Sequence, residues 1–259
     1  MGVRSNFARL FSAAAAMAIG LAVVSAAAAD YPTKKKAPPA PAPVAVAPIT
    51  PGFFVKAGFL YAVNQSSSKL YAGGSQIPGV GATFSNVATL GLEAGYYVMP
   101  NVSIDISAGA PMWVTDKLKG VTYLPGPTLV PDGTLIAKVM PAFVPLTVLY
   151  HYNRLGAFQP YLGAGVAPVF ALAHQDALNT GVTVDPTVGF VLQAGADVMI
   201  DQHWAWTVDV KKLFAEVTSH ATGDNLAAVG GPGVILPIPG KQKTNFQPWI
   251  LSTGLTYRW

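Results

Sequence analysis

The chain of 259 residues contains no cysteine, which excludes both a disulfide framework and a thiolate metal site. Charge is also scarce: Asp, Glu, Lys and Arg make up 11% of the residues, against roughly 25% in soluble domains. Mean hydropathy is nevertheless +0.40. Beyond the amino-terminal stretch, no apolar run reaches the ~18 residues of a membrane-spanning helix without meeting a charge or a proline. High hydropathy without helical spans is what lipid-facing strands produce, because each contributes only every second residue. Catalytic and cofactor motifs are missing as well. The histidines His151, His174, His203 and His220 have no zinc spacing, and there is no Gly-x-Ser-x-Gly elbow or Gly-Lys-Ser/Thr phosphate loop. The chain is therefore read as a non-enzyme without metal or cofactor.

The amino-terminus reads as an export signal over residues 1–29. Arg4 and Arg9 precede an Ala-rich apolar run, and Ala27, Ala28 and Ala29 offer a small-residue cleavage site before Asp30. Without that segment, 14 basic side chains (16 less Arg4 and Arg9) face 12 acidic ones, an excess too small to suggest a nucleic-acid partner. Residues 30–51 form a Pro/Ala/Lys-rich linker with Lys34, Lys35 and Lys36 near its start. Its prolines suit an extended spacer on the periplasmic side rather than a sheet.

Residues 52–259 carry eight strand-like segments, at about 53–63, 84–98, 102–116, 135–152, 159–172, 187–200, 204–218 and 247–259. Short connections at Met99 to Asn101, Asn153 to Phe158 and Asp201 to His203 alternate with four long ones. This pattern predicts an all-β fold, an eight-stranded antiparallel transmembrane barrel with its short turns toward the periplasm. The last strand places Trp249, Leu251, Leu255, Tyr257 and Trp259 on one face. Its aromatic end, Tyr257 and Trp259, resembles the signal by which the assembly machinery of Gram-negative outer membranes recognises barrels.

Period-two alternation assigns the faces. Phe59, Leu92, Ile104, Val148, Leu162, Leu192 and Val208 are among the outward residues, whereas Lys56, Glu93, Asp105, Asp197, Asp209 and Arg258 turn inward. An eight-stranded barrel is just wide enough for side chains to fill. Opposed charges inside it are expected to pair and plug the lumen, with a proton or ion pathway as the alternative.

Five segments carry a family resemblance: LGLEAGYYVMPNVSIDISAGAP from Leu90, VPLTVLYHYN from Val144, FQPYLGAGV from Phe158, QAGADVMIDQHWAWTVDVKKL from Gln193 and PWILSTGLTYRW from Pro248. Together they make the region from Phe53 to Trp259 similar to the outer membrane protein W (OmpW) family. The family usually has two adjacent prolines where this chain has Val144-Pro145, and a terminal Phe where it has Trp259. The resemblance implies a narrow barrel with a hydrophobic extracellular pocket, from which small apolar compounds pass sideways into the membrane.

The long connections are themselves apolar. Leu124, Leu129 and Val130 in the second, and Val234, Ile235, Leu236 and Ile238 in the last, are candidates for a hydrophobic funnel; alternatively they pack on one another. Pro141, Pro145 and Pro168 each remove a ladder donor, so they are candidates for a lateral gate, or mark bulges and strand ends. Two functions fit. One is an outer membrane conduit for passive uptake of small hydrophobic molecules. The other is a non-conducting structural or surface-interaction barrel that meets host, phage or cell wall. Either would work as a monomer among outer membrane lipids.

Overall fold

A computed structural model of the chain describes residues 51–124, 128–229 and 235–259. The export signal and nearly all of the linker therefore lie outside the described residues. Eight wall strands follow in order, most of them in a lower and an upper piece. β1 is Phe53–Val63 with Ser66–Ala72, β2 Gly81–Phe84 with Val87–Met99, and β3 Val102–Gly109 with Val114–Lys119. β4 is Leu135–Phe143 with Leu146–His151, and β5 is the single run Phe158–Asp176. β6 is Thr183–Val184 with Thr187–Met199, β7 is Trp204–Ala221, and β8 is Gly240–Phe246 with Trp249–Arg258.

Each strand pairs antiparallel with its sequence neighbours, and β8 returns to β1, with Phe54 opposite Arg258 and Val63 opposite Trp249. The sheet thus closes into an eight-stranded antiparallel barrel. Closure pairs the first strand with the last and satisfies most of the backbone inside the ladder, as a lipid environment requires. No helix among the described residues is long and apolar enough to cross a membrane.

The outward faces carry the exposed apolar side chains the alternation predicts, including Phe59, Leu92, Val148, Leu162 and Val208. On β7 the outer face runs from Trp204 to Phe214, apolar except for the half-buried Lys212, and Glu216 follows as an exposed charge. Ten residues of tilted strand span roughly 25 Å, the height of an outer membrane barrel's apolar band. At the lower rim Tyr257 packs edge-on against Trp204 at 4.9 Å and Trp259 at 5.0 Å. The Trp259 N–H donates to the Phe53 carbonyl (3.1 Å), which holds the chain end in the ring.

The upper pieces lie largely within stretches that the sequence reading assigned to long connections. Ser66–Ala72, for example, pairs along its length with Gly240–Phe246. The physical reason is an inversion of the alternation. Above the membrane the outer wall meets water, so Lys69, Lys117, Lys119, Lys241 and Lys243 are exposed while Leu118 and Ala82 turn inward. A search for apolar outward faces stops where that inversion begins.

Glycine permits the tightest approaches. A Cβ at Gly165 would stand 1.9 Å from the Leu146 carbonyl oxygen, and one at Gly163 2.0 Å from that of Val148. Contact between the β4 and β5 backbones, more than space in the lumen, is what glycine provides there.

Candidate functional site

The lumen is layered. Its lowest layer is ionic and is built by the inward parity of six strands. Lys56 of β1 lies 2.9 Å from Glu93 of β2 and 3.9 Å from Asp105 of β3. Arg258 of β8 pairs with Asp197 of β6 at 2.5 Å and donates to Gln159 Oε1 at 2.7 Å. Tyr161 and Gln193 both donate to Asp209 Oδ2, at 2.9 and 2.8 Å. All six charged residues expected inside are buried, and the pairs bring Lys56, Glu93 and Asp105 together on one side and Asp197 and Arg258 on another.

The sequence reading left out Lys211 and His151. Lys211 bridges Glu93 and Asp209, at 2.7 Å from each. Its signal was available, since it lies two residues beyond inward Asp209 and three beyond outward Val208. His151, expected only at a strand end, is fully buried, with its ring 5.0 Å from that of Tyr97 and 5.1 Å from that of Tyr161. Its Nε2 is 3.0 Å from Ser103 Oγ, which donates to Asp105 at 2.6 Å. Four buried carboxylates, three cations and their hydrogen-bond partners fill this level.

Two chambers stand above it. The lower has Lys56, Glu93, Asp209 and Lys211 as floor and Leu60, Phe143 and Ile250 as upper wall. The second is lined by Ala62, Val87, Met112, Val114, Phe246 and Pro248 among others. Leu60, Gly109 and Phe143 border both. Apolar contact dominates each chamber, as a small greasy solute requires.

The wall beside the chambers is open between β3 and β4. Their lower ladder ends at Ile106 opposite Leu146, with one more bond from Ser107 N–H to the Pro145 carbonyl (3.0 Å). Pairing resumes only at Val114 opposite Val139. In an antiparallel ladder, alternate residues present their N–H and C=O to the same neighbour. Pro145, Phe143 and Pro141 therefore present one edge to β3, and two of those three positions have no N–H to give. Pro111, which the sequence reading did not single out, stands on the facing edge and lacks a donor too. The three candidates for the gate do not act alike: Pro141 lines the upper chamber and Pro145 the lower, whereas Pro168 is paired with Val188 in the β5–β6 ladder, and its carbonyl accepts from Val144 N–H (3.2 Å). Pro168 thus fastens β4 to β5 and does not border the opening, because its missing donor falls on a seam that neighbouring bonds keep closed.

The extracellular end is capped by apolar packing. Leu118, Val130, Ile136, Leu178, Val182 and Ala221 form one buried cluster, with Leu70 and Phe84 against it. Of the funnel candidates, Val130 is buried in this cap, Leu129 is exposed, and Leu236 and Ile238 are half-buried. Val234 and the side chains of Leu124 and Ile235 lie outside the described residues. Among the described residues, no three His, Asp or Glu side chains gather as a metal site.

The chain is similar to other outer membrane proteins. The outer-membrane protein y4mB of Sinorhizobium fredii is 29% identical over 98% of either chain. PahQ of Pseudomonas aeruginosa, a dibenzothiophene metabolism operon protein, is 28% identical over 76% of this chain and 84% of its own. The crystal structure of the outer membrane protein OprG from Pseudomonas aeruginosa superposes with a TM-score of 0.69 at 21% identity, covering 81% of this chain and 96% of that one. The OmpW family model matches residues 51–259. With the closed eight-stranded ring, its outward apolar belt and this match over most of its length, the chain belongs to the OmpW family and is a protein of the Gram-negative outer membrane.

Proposed function

We propose that the barrel is a passive conduit for small hydrophobic molecules, which leave it sideways into the membrane between β3 and β4. The observation that carries this reading is the unpaired stretch from Ala108 to Trp113 against Met140 to Val144, whose borders line both apolar chambers. A solute in either chamber stands beside a wall segment without a continuous ladder, and beyond it lies hydrocarbon. The ionic layer below acts as a plug. Its salt bridges and hydrogen bonds offer an apolar solute no favourable contact, and an ion entering it would have to displace buried pairs. The dibenzothiophene operon in PahQ's name supports apolar aromatics as one class of cargo.

The reading is tested with the refolded protein in liposomes, by comparing entry of a small apolar solute with entry of a sugar of similar size, each against protein-free vesicles. Faster entry of the apolar solute alone supports the conduit. No acceleration by folded protein contradicts it and favours a structural or surface-interaction barrel.

A further inference from the structure

The upper pieces of the wall carry their charges unevenly. Lys241 and Lys243 of β8, Lys69 of β1, and Lys117 and Lys119 of β3 are all exposed on the outer surface. The strands that hold them are consecutive in the wall. Lys243 stands directly opposite Lys69, and Lys117 opposite Thr83 of β2. Between these pairs β1 and β2 approach closely, since a Cβ at Gly81 would stand 3.1 Å from the Ser68 carbonyl oxygen. With about 4.8 Å between neighbouring strands, the five lysines share a field roughly 15 Å wide.

The outer surface of these four pieces carries no acid. Asp116, the one acid in their sequences, turns inward, and its Oδ2 accepts from Gln242 Nε2 at 3.0 Å. Asp132, in the loop beyond Lys119, accepts from the Gly120 N–H at 2.8 Å. The exposed acids Asp176, Asp185 and Glu216 stand at β5, β6 and β7. Among the described residues, no salt bridge reaches any of the five lysines. Like charges directly opposite in a ladder destabilise it. The Lys69 and Lys243 pair therefore costs the barrel free energy that an anion between the two ammonium groups recovers.

Height decides which anion. The outer face carries Trp113 four residues below Lys117 on β3, and Trp249 six residues below Lys243 on β8. Tryptophan sits at the boundary between hydrocarbon and headgroups. On a tilted strand rising ~3.3 Å per residue, the lysines stand roughly 10–15 Å above that boundary. The outer leaflet of a Gram-negative outer membrane is lipopolysaccharide, whose lipid A and inner-core sugars place phosphate and carboxylate groups in this layer. Basic side chains just outside the hydrocarbon are the usual means of holding anionic lipid.

We propose that the outer face of β8, β1, β2 and β3 above the membrane is a docking surface for lipopolysaccharide. Lys69, Lys243 and Lys117 pair with the oxyanions of its inner core, while its acyl chains lie against the exposed Phe59, Tyr61 and Leu90 below. This surface is independent of the conduit reading, because it holds a boundary lipid on the wall and requires no passage through it.

The test is native mass spectrometry of the full chain, folded in non-ionic detergent and titrated with rough lipopolysaccharide made of lipid A and inner core. Phosphatidylglycerol is the probe for an acylated anion without core sugars, and a heparin fragment the probe for a sugar polyanion without acyl chains. The expected result is saturable retention of lipopolysaccharide, about tenfold tighter than of phosphatidylglycerol. Lys69→Gln combined with Lys243→Gln should weaken retention by about the same factor, through the loss of two exposed charge pairs. Lys69→Arg with Lys243→Arg keeps the charges and should keep the affinity. Arg154→Gln, which removes an exposed cation at a periplasmic turn, should change nothing. Denaturant unfolding without lipopolysaccharide checks that the double glutamine variant is folded and no less stable than the parent, as removal of a like-charge pair requires.

Equal retention by the folded glutamine variant and the parent overturns the proposal, since acyl contact alone would then hold the lipid. Retention of phosphatidylglycerol as tight as that of lipopolysaccharide also overturns it. Tighter binding of the heparin fragment does so too, and assigns the lysines to a soluble polyanion. Each of these outcomes leaves the conduit reading standing.

Discussion

Lys211 of β7 and Glu93 of β2 meet at 2.7 Å although they share no ladder and the strands β8 and β1 lie between them in the wall. The contact ties together parts of the ring that the backbone joins only around its circumference. Replacing Lys211 by Met leaves Glu93 and Asp209 without their shared cation. Breaking a buried pair in this way costs about 3 kcal/mol, so denaturant unfolding of K211M in lipid should show a loss of that order. Adding Glu93→Gln should restore part of it, as removal of both members of a pair does. An unaffected single variant would remove the ionic layer from the account of stability.

Gly195 lies under Tyr161. An added Cβ would stand 2.5 Å from the Tyr161 ring and 2.6 Å from the Val208 carbonyl oxygen. Gly195→Ala must therefore move the phenol that donates to Asp209, at a cost of roughly 2 kcal/mol. Gly109→Ala is the control, because its Cβ meets nothing closer than 3.4 Å and should leave unfolding unchanged.

Asp116 makes stability depend on pH. Its carboxyl rises from 3.8 to about 7 because of burial, so the folded chain holds the proton more tightly than the unfolded chain. The contribution is complete below the unfolded value and is lost as pH rises toward about 7. Ionisation between pH 5 and pH 8 should cost up to ~3 kcal/mol. D116N should flatten this part of the profile, as seen in unfolding curves at the two pH values; equal slopes would show that Asp116 ionises freely.

Three prolines stand on the facing edges of the β3–β4 seam, and the proposed lateral route gives them the role of keeping it open. Converting Pro111, Pro141 and Pro145 to Val returns three backbone donors to the facing edges, and a sealed ladder should lower the flux of an apolar solute several-fold. Flux equal to that of the parent at equal folded protein would show that the missing donors do not set the route.

The barrel was legible in the sequence because lipid imposes a strict code: Phe59, Leu92, Val148 and Val208 face out, and the six charged residues face in. The code changes sign at the membrane edge, so the strands running through Lys69, Lys117 and Lys243 read as loops. Asp116 fell at that edge, where nothing in its own segment says which face is buried. The lateral opening was only half legible. Proline supplies the missing donors, but which of two neighbours a donor would have faced depends on register, and register placed Pro168 in a closed seam while bringing Pro111 to the open one.

Gly109 offers the most direct measurement of the central claim, since it lies on the opening and borders both chambers. Gly109→Phe would fill the passage beside Leu60 and Phe143 without touching the ionic layer. Entry of a small apolar aromatic into liposomes should fall about tenfold in this variant, while G109A keeps most of the parent's rate. Equal entry with parent and G109F, at matched amounts of folded barrel, would contradict a route through these chambers and out between β3 and β4.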